Sequence, residues 1–240
     1  MLDVKNLRKV FGRTPAVDDI SFTAAKGDVL GFLGPNGAGK STTMKMLACF
    51  LTPDGGTAAV NGFDIRRQSL DVRRTLGYLP ENAPCYEEMT VRAFLEFICS
   101  VRGLTGPAAA RARERVIADC ALEEVLAQTV GTLSKGFRRR VGLAQALVHD
   151  PATLILDEPT DGLDPNQKHQ VRELIKKLAA DKCIVISTHI LEEVDAICNR
   201  AIIIAAGRKL ADGTPEELRA RHGGGSMEEI FRRLTLGETA

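Results

Sequence analysis

Nine residues, Gly34, Pro35, Asn36, Gly37, Ala38, Gly39, Lys40, Ser41 and Thr42, have the spacing of a loop that binds phosphate. Glycines at 34, 37 and 39 let the backbone curl so that its N–H groups point inward, and a helix after the loop adds unpaired N–H groups and the positive end of its dipole. Lys40 would neutralise the β and γ phosphates of a nucleotide, and Ser41 would offer a hydroxyl to Mg²⁺. The plainer alternative is a glycine-rich turn beside an ordinary exposed lysine. Against it stand the flanks: Val29 to Leu33 reads as an apolar strand, and Thr42 to Phe50 as a helix.

A second constellation lies far along the chain. The apolar run Leu154 to Leu156 ends in Asp157 and Glu158. A strand buried on both faces would deliver Asp157 to its C-terminal edge beside the phosphate loop, where a carboxylate can hold Mg²⁺, often through water. Glu158 would then stand near the γ phosphate and orient or deprotonate an attacking water. A strand that merely ends in solvated acids is the competing reading, and a phosphate loop in the same chain weakens it.

The elements that must position these groups follow from periodicity. Leu2 to Leu7, Ala16 to Thr23 and Asp28 to Leu33 read as strands, Thr57 to Val60 as a short strand, and Thr75 to Leu79 as a strand stopped by Pro80. From Thr90, a plausible N-cap, Val91, Phe94, Leu95, Ile98 and Val101 fall on one helical face; a second helix starts at Pro107. Helices are expected over Ser134 to Val148, Pro165 to Ala180 and Ile190 to Ile197, alternating with strands Thr153 to Leu156, Cys183 to Ser187 and Ala201 to Ala205. Nearly all-apolar strands alternating with helices imply a parallel sheet covered on both faces. Two capping boxes, Thr214 to Glu217 and Ser226 to Glu229, announce short helices in the tail.

Composition narrows the class. The 240 residues hold 32 Lys and Arg against 31 Asp and Glu, so net charge argues for neither nucleic acid nor an acidic surface as partner. The six Cys form no C-x-x-C pair and no zinc spacing; they read as reduced, mostly buried small hydrophobes of a cytosolic protein. No segment approaches a membrane span, so a soluble chain is expected; if it works at a membrane, another chain crosses it.

Between the two constellations lie Leu133, Ser134, Lys135, Gly136 and Phe137, then Arg138, Arg139, Arg140 and the stretch Val141 to Leu147. With the phosphate loop before it and the Asp157–Glu158 strand after it, this resembles the ATP-binding subunit of an ABC transporter, over essentially Met1 to Gly213. The family signature L-S-G-G-Q is altered at Lys135 and Phe137. The resemblance implies an α/β P-loop NTPase core with a mainly parallel sheet, a small antiparallel β region and an inserted helical subdomain at about 85–148. Residues 1–213 would form the ATPase domain and 214–240 a helical tail, with core docking of Ile230, Phe231 and Leu234 the safer expectation.

The same resemblance implies further roles. Ser134 and Gly136 would contact the γ phosphate of ATP held by a second copy, with Lys135 adding a phosphate or cross-dimer contact; alone, the stretch could be only an N-cap and turn. His189 would bridge the γ phosphate, Glu158 and the opposite subunit, and Asp164 would communicate across the dimer or simply cap the helix at Pro165. Phe11 would stack on adenine, with core packing as its rival. Glu81 stands where most of the family has glutamine; it could coordinate Mg²⁺ beside Ser41 and Asp157 while adding negative charge. Gly77 to Asn82 and the Leu133 to Gly136 signature are similar to the branch that pairs with type 2 exporter permeases.

Together these features lead to the expectation of an ATPase that uses ATP and Mg²⁺ and pairs with a second copy or a related ATPase. It would sit on the cytoplasmic face of a membrane through a permease subunit docked near Glu81 to Phe97. Two rivals remain: an ABC ATPase acting on ribosomes or nucleic acid, disfavoured by the single cassette and a longest basic run of Arg138 to Arg140, and a cassette coupled to signalling or mechanical work.

Overall fold

The computed structural model describes residues 1–82 and 85–236; Ala83 and Pro84 of the expected docking segment and residues 237–240 of the expected tail lie outside the described residues. The chain opens with β1 (Leu2–Phe11), β2 (Thr14–Ala24), β3 (Val29–Leu33) and α1 (Lys40–Leu47). The first two strands outrun their apolar segments because antiparallel pairing continues to Phe11 opposite Thr14, and ladder hydrogen bonds hold polar residues that alternation does not mark. Next come β4 (Gly55–Val60), β5 (Phe63–Asp64), α2 (Ser69–Thr75) and β6 (Leu76–Leu79). Neither β5 nor α2 is predicted from the sequence; α2 buries only Val72, so it carries no apolar stripe.

The middle is helical: α3 (Val91–Val101), α4 (Gly106–Asp119), 3-10 turns at Glu123–Val125 and Val130–Thr132, and α5 (Lys135–Leu147). Thr90 caps α3, its hydroxyl oxygen accepting the Ala93 N–H at 3.2 Å. Val91, Phe94, Leu95 and Ile98 are buried as their spacing predicts, but Val101, the last residue of the helix, is 65% exposed and lines an open groove. The remainder runs β7 (Thr153–Asp157), α6 (Pro165–Ala179), β8 (Cys183–Thr188), α7 (Leu191–Ile197), β9 (Arg200–Ala205), β10 (Arg208–Gly213), α8 (Pro215–Arg221) and α9 (Met227–Leu236).

Two sheets result. The small one is antiparallel in the order β2-β1-β4-β5; the large one runs β10-β9-β3-β8-β7-β6 and is parallel apart from the β9–β10 hairpin. Strand alternation divides the large sheet's side chains between two cores. Val29 and Leu33 of β3, Ile184 and Ile186 of β8 and Leu154 and Leu156 of β7 face the helical segment, while Leu30, Phe32, Val185 and Ile155 face α1 and the small sheet. Both faces are therefore covered, as a parallel sheet requires.

Adjacency of β3, β8 and β7 brings three strand ends to one edge. Their register pairs Leu33 with Thr188 and Asp157 with Ser187, so the segments after all three strands emerge side by side. Gly77 of β6 lets α5 pack against this sheet: a Cβ there would strike the Ala146 carbonyl oxygen. In the tail, Thr214 and Glu217 form the reciprocal cap of α8, and Ser226 and Glu229 exchange backbone bonds at the start of α9. Met227 and Ile230 are buried, with Phe231 and Leu234 packed beside them, so α9 docks on the core. The six cysteines are free, four of them buried.

Candidate active site

The loop after β3 closes against β2. Gly39 has φ +103°, and a Cβ there would run into the Ala16 carbonyl oxygen, so this position needs glycine on both counts. The Thr43 hydroxyl donates to the Gly39 carbonyl at 2.9 Å and fixes the entry to α1. Lys40 is 7% exposed; its ammonium donates to the carbonyls of Gly34 at 2.7 Å and Pro35 at 3.3 Å. Burial lowers its pKa, while the carboxylates of Glu158, Asp157 and Glu81 act in the opposite sense and favour the cation.

Asp157 ends β7 fully buried. Its Oδ1 accepts from the Ser41 hydroxyl at 3.2 Å and from the Ser187 hydroxyl, and its Oδ2 is buried with no hydrogen-bond partner among the described residues. A buried carboxylate oxygen left so is costly unless a cation meets it. Next to it, Glu158 has φ +52°, uncommon for a residue with a side chain, and its N–H donates to the Ser187 carbonyl at 3.0 Å. That backbone turn sends the Glu158 carboxylate toward β8, where His189 Nδ1 lies 3.0 Å from Oε2. Behind His189, the Thr188 hydroxyl donates at 2.8 Å to buried Glu193, whose pKa is raised by burial.

Phe11, Asn36, Gly37, Lys40, Ser41, Thr42, Glu81, Glu158 and His189 line one cleft of about 600 Å³. Phe11 is 51% exposed at its edge, so core packing is not its role. Its ring sits 5.7 Å from the Lys9 ammonium. The other expected contacts stand apart. Ser134 accepts the Phe137 N–H at 3.3 Å as the N-cap of α5, Gly136 packs on the Gln167 side chain, and Asp164 accepts the Gln167 N–H at 2.9 Å as the N-cap of α6. None of the three lines the chain's own cleft. Lys135, expected to reach phosphate or a partner, is paired with Asp161 of the same chain at 2.8 Å. Sequence reasoning gave no role to Ser187, Asp161 or Arg139; only Ser187 carries a signal, being a hydroxyl at the end of the strand that leads to His189.

The donors fit Mg²⁺. They are a hydroxyl and carboxylate oxygens, hard ligands, and one of those oxygens is buried without a partner. Among the described residues no three His, Cys, Asp or Glu side chains converge as a self-sufficient metal site, so the cation shell would be completed by phosphate oxygens and water.

A phosphate loop, a buried aspartate and a glutamate–histidine pair gathered at the C-terminal edge of a parallel sheet define a P-loop nucleoside triphosphatase. The ABC transporter family model matches residues 17–161. Nod factor export ATP-binding protein I of Rhizobium sp. (strain N33) is 38% identical over 231 residues, covering 96% of this chain and 76% of the relative. A solved ATP-binding subunit of an ABC transporter is 31% identical, covers 98% of this chain and 99% of its own, and superposes with a TM-score of 0.90. The dimeric ATP-binding cassette MJ0796, bound to ADP and Pi, shares the fold at 21% identity and a TM-score of 0.82, over 89% of this chain and 98% of its own. The chain belongs to the ABC transporter family as an ATP-binding subunit, an ATPase.

Proposed function

We propose that two copies of this chain, or one copy and a related ATPase, close head to tail around two ATP and so drive export through a separate membrane permease. The carrying observation is that Ser134 and Gly136, at the N-terminal end of α5, stand outside the chain's own nucleotide cleft. A helix N-terminus with a hydroxyl and a glycine N–H suits a phosphate, and the triphosphate within reach would be one held by another molecule. The fold neighbour solved as a dimer with ADP and Pi supports this, and the relative named for Nod factor export supports the direction.

In this reading the loop from Gly34 to Thr42 holds the phosphates, with Lys40 as the point charge, and Phe11 stacks on adenine. Ser41 and Asp157 would hold Mg²⁺, with Glu81 as a further oxygen donor at the end of β6. Bound there, the cation neutralises charge on the β and γ phosphate oxygens. Glu158 accepts the hydrogen bond, and then the proton, of the attacking water; His189 holds that carboxylate and faces the γ phosphate. Asp164 lies at the surface that would meet the other copy. Hydrolysis removes the shared phosphate, so the closed pair loses affinity and opens.

Residues 1–213 would form the ATPase unit, with about 85–148 as its helical insert, and 214–240 its tail. The permease is assigned to an open apolar groove of about 1000 Å³ whose lining includes Phe50, Leu70, Tyr78, Pro80, Val101 and Arg102. It overlaps the expected segment Glu81 to Phe97 at Asn82 and extends to α2 and the end of α3. Among the described residues no helix is long and apolar enough to cross a membrane; in this reading the permease holds the chain at the cytoplasmic face.

Complementation tests the composite site. Lys40→Ala and Ser134→Arg chains are each expected to be nearly inactive alone. Mixed in equal amounts they would form hybrid dimers with one intact site and recover a readily measured fraction of turnover. Recovery absent in the mixture, with both variants folded, would count against the shared site.

A further inference from the structure

Arg139 lies in α5, one turn beyond Ser134 and Gly136, and is 7% exposed. Among the described residues its guanidinium makes no ion pair; it is spread over backbone carbonyls instead. One terminal nitrogen donates to Pro80 at 2.7 Å and Glu81 at 2.6 Å, and the other donates to Asp157 and Glu158. Those carbonyls come from the two points where β6 and β7 end. Such an arrangement suits a planar fork, whose donors have fixed directions, and does not suit an ammonium.

We propose that Arg139 is a positioning residue for hydrolysis, its fork tying the ends of β6 and β7 to the helix that carries Ser134 and Gly136 and so setting where the carboxylates of Glu81, Asp157 and Glu158 stand. Three observations make the tie functional as well as structural. Each tethered pair includes a residue lining the nucleotide cleft, Glu81 on one side and Glu158 on the other. Pro80, bonded to the same nitrogen as Glu81, lines the open groove on the far side. The guanidinium also stands in the field of Asp157, Asp161, Glu158 and Glu81, which favours its charge against burial. A displacement of the β6 end from the groove therefore reaches the carboxylate that faces the attacking water through one side chain. Phosphate binding rests on the Gly34 to Thr42 loop, which Arg139 does not touch.

The inference rests on the placement of Glu158 and His189 given above. The test uses the full chain with Arg139→Lys, which keeps the charge and loses the fork, and Arg139→Gln, which loses both. Both variants are expected to bind a fluorescent ATP analogue without Mg²⁺ within about threefold of wild type, while kcat falls about tenfold or more at nearly unchanged KM. Amide exchange at residues 80–82 and 157–158 is expected to accelerate relative to the amides of the phosphate loop. Three results would overturn the proposal: kcat within about twofold of wild type in either folded variant, since a lysine that restores turnover makes charge alone sufficient; nucleotide affinity and kcat lost in parallel; or failure of both variants to fold, which makes the role structural. A wild-type chain that binds ATP without hydrolysing it would instead overturn the roles given to Glu158 and His189, and the exchange pattern would still decide for or against Arg139.

Discussion

His189 Nδ1 lies 3.0 Å from a carboxylate oxygen of Glu158, although 31 residues separate them in sequence. The contact follows from strand register: Asp157 pairs with Ser187, so the residue after β7 and the residue after β8 leave the sheet as neighbours. Glu158 reaches across from a backbone held at φ +52°. Backbone strain at one residue thus aims the carboxylate at the histidine and holds it beside the cleft.

His189→Ala removes the partner that orients Glu158 and leaves the phosphate loop intact. Turnover is expected to fall by about 10²-fold or more, with nucleotide affinity changed by less than about threefold, measured by steady-state hydrolysis and equilibrium binding.

Phe11→Ala addresses the other end of the cleft. Because Phe11 is 51% exposed, its loss should leave stability nearly unchanged, while the proposed stacking platform for a base would be lost. The expected result is a rise of about tenfold in KM for ATP at little-changed kcat.

These groups are legible in the sequence because their spacing is local: the loop from Gly34 to Thr42, the Asp157–Glu158 pair and Thr188–His189 each follow an apolar strand directly. The alternation of strands and helices likewise makes the parallel sheet readable. Other parts are settled by contacts that no window of sequence contains. β10 has three of its six residues exposed and one buried, and pairs antiparallel with β9. α2 shows one buried side chain. Arg139 reads as the middle of a basic run until the ends of β6 and β7 meet at its guanidinium. Lys135 reads as a contact for phosphate or for a partner copy, and in the fold it pairs with Asp161, 26 residues on.

His149 makes stability depend on pH. Its Nε2 lies 3.1 Å from the Leu76 carbonyl, and burial, with the charges of Arg102 and Lys182 against it and that of Asp150 for it, holds its pKa down at about 4. The unfolded chain, with His near 6.5, binds the proton more readily, so this contribution is complete above about pH 6.5 and is lost as pH falls toward 4. With a discount for residual exposure the loss is about 2 kcal/mol. Urea unfolding at pH 7 and pH 4.5 should show His149→Gln losing less stability than wild type over that interval. An equal loss in both chains would remove His149 as the cause.

The proposed sharing of the nucleotide between two copies is tested most directly by the mass of Glu158→Gln in solution. This variant keeps the phosphate loop, the buried Asp157 and the α5 N-terminus, and lacks the base that would discharge the γ phosphate. Light scattering at saturating Mg-ATP is expected to give twice the monomer mass, returning to the monomer value with ADP. A monomer at saturating Mg-ATP, with the nucleotide shown to be bound, would contradict ATP-driven closure of two copies.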